Sequence, residues 1–147
     1  MSREIFELDV GQGVLAISPM PQDVADVVGW DAVLSMTQAD EMPHDVSKGL
    51  AAQHWIRFPV ADFGVPDEGN WDAIEREVLA LISNKGRVLV HCKGGCGRSG
   101  MAVLRLMIAA GEEPTQAFAR LRAVRSCAVE TKAQLDWASG ASLPWPL

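Results

Sequence analysis

Val88-Leu89-Val90-His91-Cys92-Lys93-Gly94-Gly95-Cys96-Gly97-Arg98-Ser99-Gly100 is the stretch on which the reading of this chain turns. Arg87 to His91 is a short apolar run of the kind that parallel strands buried on both faces show. A glycine-rich loop, Cys92 to Arg98, follows it, and an almost wholly apolar helix is predicted from Ser99 to Ala110, interrupted by Arg105. A thiol and a guanidinium with five residues between them thus bracket a loop between strand and helix. Gly94, Gly95 and Gly97 free the backbone to turn successive N–H groups inward, which makes an anion nest. The helix aims its positive end at the same spot, and Arg98 adds a planar fork for two oxygens. The same field favours a thiolate at Cys92. A phosphate monoester held by Lys93, Gly94, Gly95, Cys96, Gly97 and Arg98 would present its phosphorus in line with the sulfur, giving a cysteinyl-phosphate that water then hydrolyses. Ser99 is placed to donate a hydrogen bond to that sulfur and help it leave.

Other motifs in this stretch fare worse. Gly95-x-Gly97-x-x-Gly100 matches a dinucleotide fingerprint, but only 47 residues follow Gly100, with no second strand ending in a ribose-binding acid. A Gly-Lys-Ser/Thr phosphate loop does not occur. A zinc site of His91, Cys92, Cys96 and a remote His lacks the usual ligand spacing. A plain glycine turn around a structural cysteine leaves the adjacent arginine unexplained.

Upstream, strands are predicted over residues 4–9 and 14–18, with a glycine turn Val10 to Gly13 between them. Pro21 to Val28 suits a short helix, with Val24, Val27 and Val28 on one face and Gly29 as its stop. Ala32 to Met36 reads as a buried strand, Thr37 to His44 as a loop, Asp45 to His54 as a weak helix, and Trp55 to Val60 as a strand. Ala61 to Asn70 is a loop. Trp71, Ile74, Val78, Leu81 and Ile82 then share one helical face, and Lys85-Gly86 ends that helix. Downstream, Pro114 opens a helix with Ala117, Phe118, Leu121 and Val124 inward, and Thr131 opens the last. Strands alternating with helices argue an α/β domain of three layers around a mostly parallel central sheet, a single domain over residues 1–147.

Composition agrees. The 147 residues are 48% hydrophobic and 22% charged, which excludes disordered and coiled-coil classes. No apolar run is long enough to span a bilayer, and the N-terminus does not read as a secretory signal. A net charge of −6 makes nucleic acid and anionic membrane poor partners. Three cysteines without a signal peptide argue against a disulfide framework and for a reducing cytoplasm. His44 and His54 read as surface residues. Arg120, Arg122 and Arg125 form a basic strip that is either a solvated face or a greeting to an acidic substrate.

His91-Cys92-x5-Arg98-Ser99 resembles the signature of the protein-tyrosine and dual-specificity phosphatase superfamily, nearest to its compact kinase-associated and dual-specificity branch. The likeness runs from about Val14 to Trp137. It implies a cysteine-phosphatase fold without metal or other cofactor, hydrolysing a phosphorylated protein or small phosphate monoester. The expected protein is a monomer with no nucleic-acid or membrane partner. Tyr against Ser/Thr preference stays open. The alternatives are a phosphate-binding module without catalysis and a rhodanese-like sulfurtransferase.

The resemblance also assigns further residues. Phosphoester cleavage needs a proton for the leaving oxygen. Asp62, after the strand and before Phe63-Gly64, matches the family's acid, while Asp67 is a rival that equally suits a helix start. Val129 to Gln134 resembles the family's Gln-Thr-x-x-Gln segment, with Glu130 in place of the first glutamine. Gln134 would position the hydrolytic water, or it only completes a capping box with Thr131. Cys96 stands where the branch has leucine, as an apolar filler or as a resolving thiol for oxidised Cys92. Cys127 is expected in the core.

Overall fold

The computed structural model describes residues 4–66, 69–140 and 143–146. Five strands, β1 (Phe6–Val10), β2 (Gly13–Ser18), β3 (Ala32–Ser35), β4 (Trp55–Arg57) and β5 (Arg87–His91), form one sheet in the order β1-β2-β5-β3-β4. Only the β1–β2 hairpin is antiparallel. Alternation along the strands sends Val88 and Val90 to one face and Leu89 to the other. On the Leu89 side, Ala16, Val33 and Leu89 pack against Val46 and Leu50 of α1 (His44–Ala51). On the other side lie α2 (Trp71–Ser83), α3 (Gly97–Ala109), α4 (Pro114–Val124) and α5 (Lys132–Ser139). The three-layer, mostly parallel α/β architecture is therefore present, with its helices distributed one against four.

Helix α3 is the centre of the larger layer. Met101, Ala102, Val103, Leu104, Leu106 and Met107 are all fully buried, as an all-round apolar helix requires. It begins at Gly97, two residues earlier than its sequence implies, so Arg98 belongs to its first turn. Its close packing depends on Gly100, because a Cβ there would lie 2.5 Å from the Val129 amide nitrogen.

Three expectations need correcting. Pro21 to Val28 is not an α-helix: only Val24–Asp26 forms a 3-10 turn. The Asp23 carboxylate takes the Ala25 amide and Asp26 takes that of Gln22, so local side chains claim the amides a helix needs. Val27 is buried, but Val28 is 49% exposed. The strand predicted to Val60 is regular only to Arg57, although the Phe58 and Val60 amides, on either side of Pro59, still donate to the Ser35 and Met36 carbonyls. Val124 lies at the surface end of α4, not in the core. Within the polar stretch before α1, Ala39–Glu41 forms a second 3-10 turn.

Candidate active site

Cys92 follows β5 at the C-terminal edge of the sheet, where open α/β sheets bind ligands. Its sulfur is buried, 3.1 Å from the Ser99 hydroxyl. Every carbonyl of the next four residues is engaged from outside the loop. Met20 donates its amide to Lys93, Arg125 donates Nη2 to Gly94 and Nε to Gly95, and the Gly100 and Val129 amides reach Cys96. Carbonyls pulled outward leave the loop's amides, with the first turn of α3, as its inward donors. Gly95 is obligatory: φ is 72°, and a Cβ would sit 2.5 Å from the Pro19 nitrogen.

Arg98 is 1% exposed, and its fork is held from behind. Nη1 donates to Glu41 Oε1 at 2.7 Å and to the Val60 carbonyl at 2.8 Å, and Nη2 donates to Glu41 Oε2 at 2.8 Å. The hydrogen bond from Arg98 holds the Glu41 carboxyl below the usual carboxylate range, against its own partial burial. Burial opposes the arginine's charge, but the Glu41 carboxylate outweighs it and raises the guanidinium further. Nε alone is buried without a partner. A buried, unpaired N–H on a guanidinium is costly until an acceptor completes it, and an anion is the strongest such acceptor. Asp62 Oδ1 lies 3.4 Å from Nη2, on a turn closed by Gly64 donating its amide to Ala61. That carboxylate is half exposed, on the open side of the loop.

His91 has a defined tautomer. Its Nδ1 is 3.2 Å from the Cys92 carbonyl, which can only accept, so Nδ1 carries the proton. Burial, supported by the nearby Arg98 charge and opposed by the hydrogen bond to Cys92, pushes the imidazole down to about 4. The ring is therefore neutral at pH 7, and bare Nε2 accepts from the Ser35 hydroxyl at 2.5 Å. Ser35 in turn accepts from the Trp55 indole N–H at 2.8 Å.

Gln134 does what a capping box demands and more. Its amide donates to the Thr131 hydroxyl, and its Oε1 accepts from the Glu130 and Thr131 amides. Its Nε2 donates to the Gly64 carbonyl at 3.1 Å, tying α5 to the loop that carries Asp62. Asp67 lies outside the described residues. Lys93 and Gly94 line the exposed rim of the loop.

The cysteine readings are overturned. Cys96 is bonded to Cys127, with Cα atoms 5.1 Å apart, and Cys92 is the one free cysteine. Cys96 is neither a filler nor poised to trap Cys92, and Cys127 is not a core residue. The turn after α4 returns residue 127 to the phosphate loop, a proximity hidden across 31 positions. The basic strip is likewise no solvated face. Arg120 binds Glu112 and the Asp9 carbonyl, Arg122 binds the Ala128 and Val129 carbonyls, and Arg125 cradles the loop. Glu41, Ser35 and Trp55 escape sequence reading because each comes from an element with no motif of its own, and Arg125 is legible only as one base of the strip, not as the brace of the loop. His44 and His54 are exposed, as expected. The described residues hold no cluster of three metal-ligating side chains and no helix long and apolar enough to cross a membrane.

A family model described as Swiss Army Knife protein, DSP-PTPase phosphatase domain, matches residues 13–137. Cyclin-dependent kinase inhibitor 3 of Homo sapiens is 37% identical over 92 residues, 60% of this chain and 42% of that protein. The Mus musculus protein of the same name is 36% identical over 91 residues. The chain thus spans less than half the length of these relatives. Among solved structures, Tk-PTP in its active form shares 26% identity with a TM-score of 0.76, covering 95% of this chain and 97% of that one. Kinase associated phosphatase with its catalytic-site cysteine changed to serine has a TM-score of 0.81, over 94% and 93% of the two chains. At 20% identity, the second likeness is one of fold.

Proposed function

The chain belongs to the DSP-PTPase family of phosphatase domains, and on that footing we propose that it is a cysteine-dependent phosphatase of dual-specificity type acting on phosphorylated proteins. The observation that carries this reading is the unpartnered Nε of buried Arg98 beside a loop whose carbonyls are all turned outward. A dianionic phosphoryl group satisfies both: two of its oxygens take the side of the fork that Glu41 leaves open, and the third meets the amides.

Cys92 Sγ attacks phosphorus, forming the S–P bond as the P–O bond to the leaving group breaks. Asp62 gives its proton to the departing oxygen. In the second step water attacks the same phosphorus, Asp62 takes a water proton, and the S–P bond breaks to return the thiolate. Ser99 stabilises that thiolate by donating to it from 3.1 Å. The products are the dephosphorylated residue and inorganic phosphate. Gln134 keeps one Nε2 hydrogen after binding Gly64, and that hydrogen is the one available to orient the water.

A phosphoprotein substrate suits the relatives, one of them named a kinase associated phosphatase. A monomer without nucleic-acid or membrane partners is part of the same proposal, as is a cytoplasmic location. The Cys96–Cys127 bridge is the observation that favours an oxidising compartment instead. The state of those thiols after trapping in the cell of origin decides.

The test is turnover of an aryl phosphate with and without vanadate, repeated with Cys92→Ser. The wild type should hydrolyse it and be inhibited. The variant should bind vanadate and hydrolyse nothing, because a serine hydroxyl is not ionised at neutral pH. A wild type that binds vanadate but never turns over is a phosphate-binding module instead.

A further inference from the structure

A cavity of about 810 Å3 lies between α1 and the edge strand β4, and nothing in the proposed chemistry uses it. His44, Lys48 and Arg57 line it, and no aspartate or glutamate does. In a chain of net charge −6, three bases without an acid make a local exception. All three are exposed. Among the described residues neither Lys48 nor Arg57 is paired with a carboxylate, and the Arg57 guanidinium is stacked 4.2 Å over the Trp55 ring, which presets it. The opposite case is Arg98, whose acid is close and only partly exposed.

The cavity shares two residues with the support of the site. Its lining includes Ser35 and Trp55, the two residues whose hydrogen bonds support His91. Thr37 follows β3, the strand between β5 and β4. With strands about 4.8 Å apart, the end of β4 is roughly 10 Å from the end of β5, where Cys92 begins the loop. An extended peptide covers that in about three residues. β4 is also the sheet's outer strand, with no neighbour beyond it among the described residues.

We propose that this cavity is a recognition subsite for acidic side chains of an extended phosphoprotein segment, about three residues from the phosphorylated one. The occupant is an acidic peptide because carboxylates complement Lys48 and Arg57, with no acid in the lining to compete for them, and because the spacing suits a chain already held by its phosphate. The proposal rests on the phosphatase reading.

The test uses phosphotyrosine and phosphothreonine peptides that carry Glu, Ala or Lys at the third position on either side. Their kcat/KM is measured with the wild type and with Lys48→Glu/Arg57→Glu. Binding to the Cys92→Ser chain, with and without the same pair of changes, is read by fluorescence anisotropy. On one side of the phosphorylated residue, Glu should raise kcat/KM over Ala by roughly 5- to 20-fold at low salt, through KM, as two partly screened ion pairs would. Lys should lower it. Charge reversal should invert that order in both turnover and binding, and Lys48→Gln/Arg57→Gln should flatten it. Hydrolysis of para-nitrophenyl phosphate should be the same in wild type and both double variants. Peptides that bind and turn over alike, or a Glu preference that survives charge reversal, overturn the subsite. So does a gain seen with phosphoinositide vesicles and not with acidic peptides. If para-nitrophenyl phosphate is not hydrolysed at all, the phosphatase reading fails, while the anisotropy still decides the subsite.

Discussion

Glu41 grips Arg98 through both carboxylate oxygens, at 2.7 and 2.8 Å, across 57 positions of sequence. Glu41 takes one hydrogen each of Nη1 and Nη2, so it orients the fork and leaves Nε free of a partner. Glu41→Gln should keep one hydrogen bond and lose the charge. We expect a loss of roughly 10- to 100-fold in kcat/KM, since one charged hydrogen bond is worth about 1.5–3 kcal/mol. Vanadate affinity should fall in parallel, and Glu41→Asp should restore part of both. A variant with lower melting temperature but unchanged vanadate affinity would show that Glu41 only stabilises the fold.

Asp62 is half exposed beside Arg98 Nη2, on the open side of the site. Asp62→Asn should slow a substrate with a poor leaving group by roughly 10²- to 10⁴-fold. A leaving group that departs as a stable anion should suffer far less. Asp67→Asn is the control. If it reproduces that dependence and Asp62→Asn does not, the roles must be exchanged.

His91 makes stability depend on pH with a definite sign. Its folded value, about 4, lies below its ordinary 6.5. The unfolded chain therefore takes the proton first on acidification. The contribution is complete above the ordinary value and is lost as pH falls through the folded one, roughly 3 kcal/mol in all. Glu41, also lowered, withdraws stability in the same direction at more acid pH. Urea midpoints measured from pH 7.5 to 4 should fall steadily, and His91→Gln should flatten the upper part. A midpoint that rises toward pH 5 would contradict the neutral, Ser35-bound ring.

The Cys96–Cys127 bridge anchors the glycine-rich loop to the turn after α4. Denatured without reductant, the protein should titrate one thiol, and after reduction three. Cys127→Ser should lower stability by roughly 2–4 kcal/mol, the usual worth of closing a loop of this length. Three thiols before reduction would show the pair unbonded.

The local grammar of this chain was readable without coordinates. The run Arg87 to His91, the glycines after Cys92 and the apolar helix that follows are near-neighbour features, and strand, loop and helix periodicity report them directly. The proposed nucleophile, Arg98, Ser99 and the loop glycines lie within eight consecutive residues, so the sequence alone brought together the centre of the candidate site, and the order of elements determined its three-layer setting. Tertiary structure decided what meets that loop from afar. Glu41 sits in a 3-10 turn, Ser35 on a neighbouring strand, Arg125 at the end of α4 and Cys127 just beyond it. None of these positions has a period or spacing relative to Cys92, because the distance between them is set by sheet order and helix packing rather than by the chain's own local geometry.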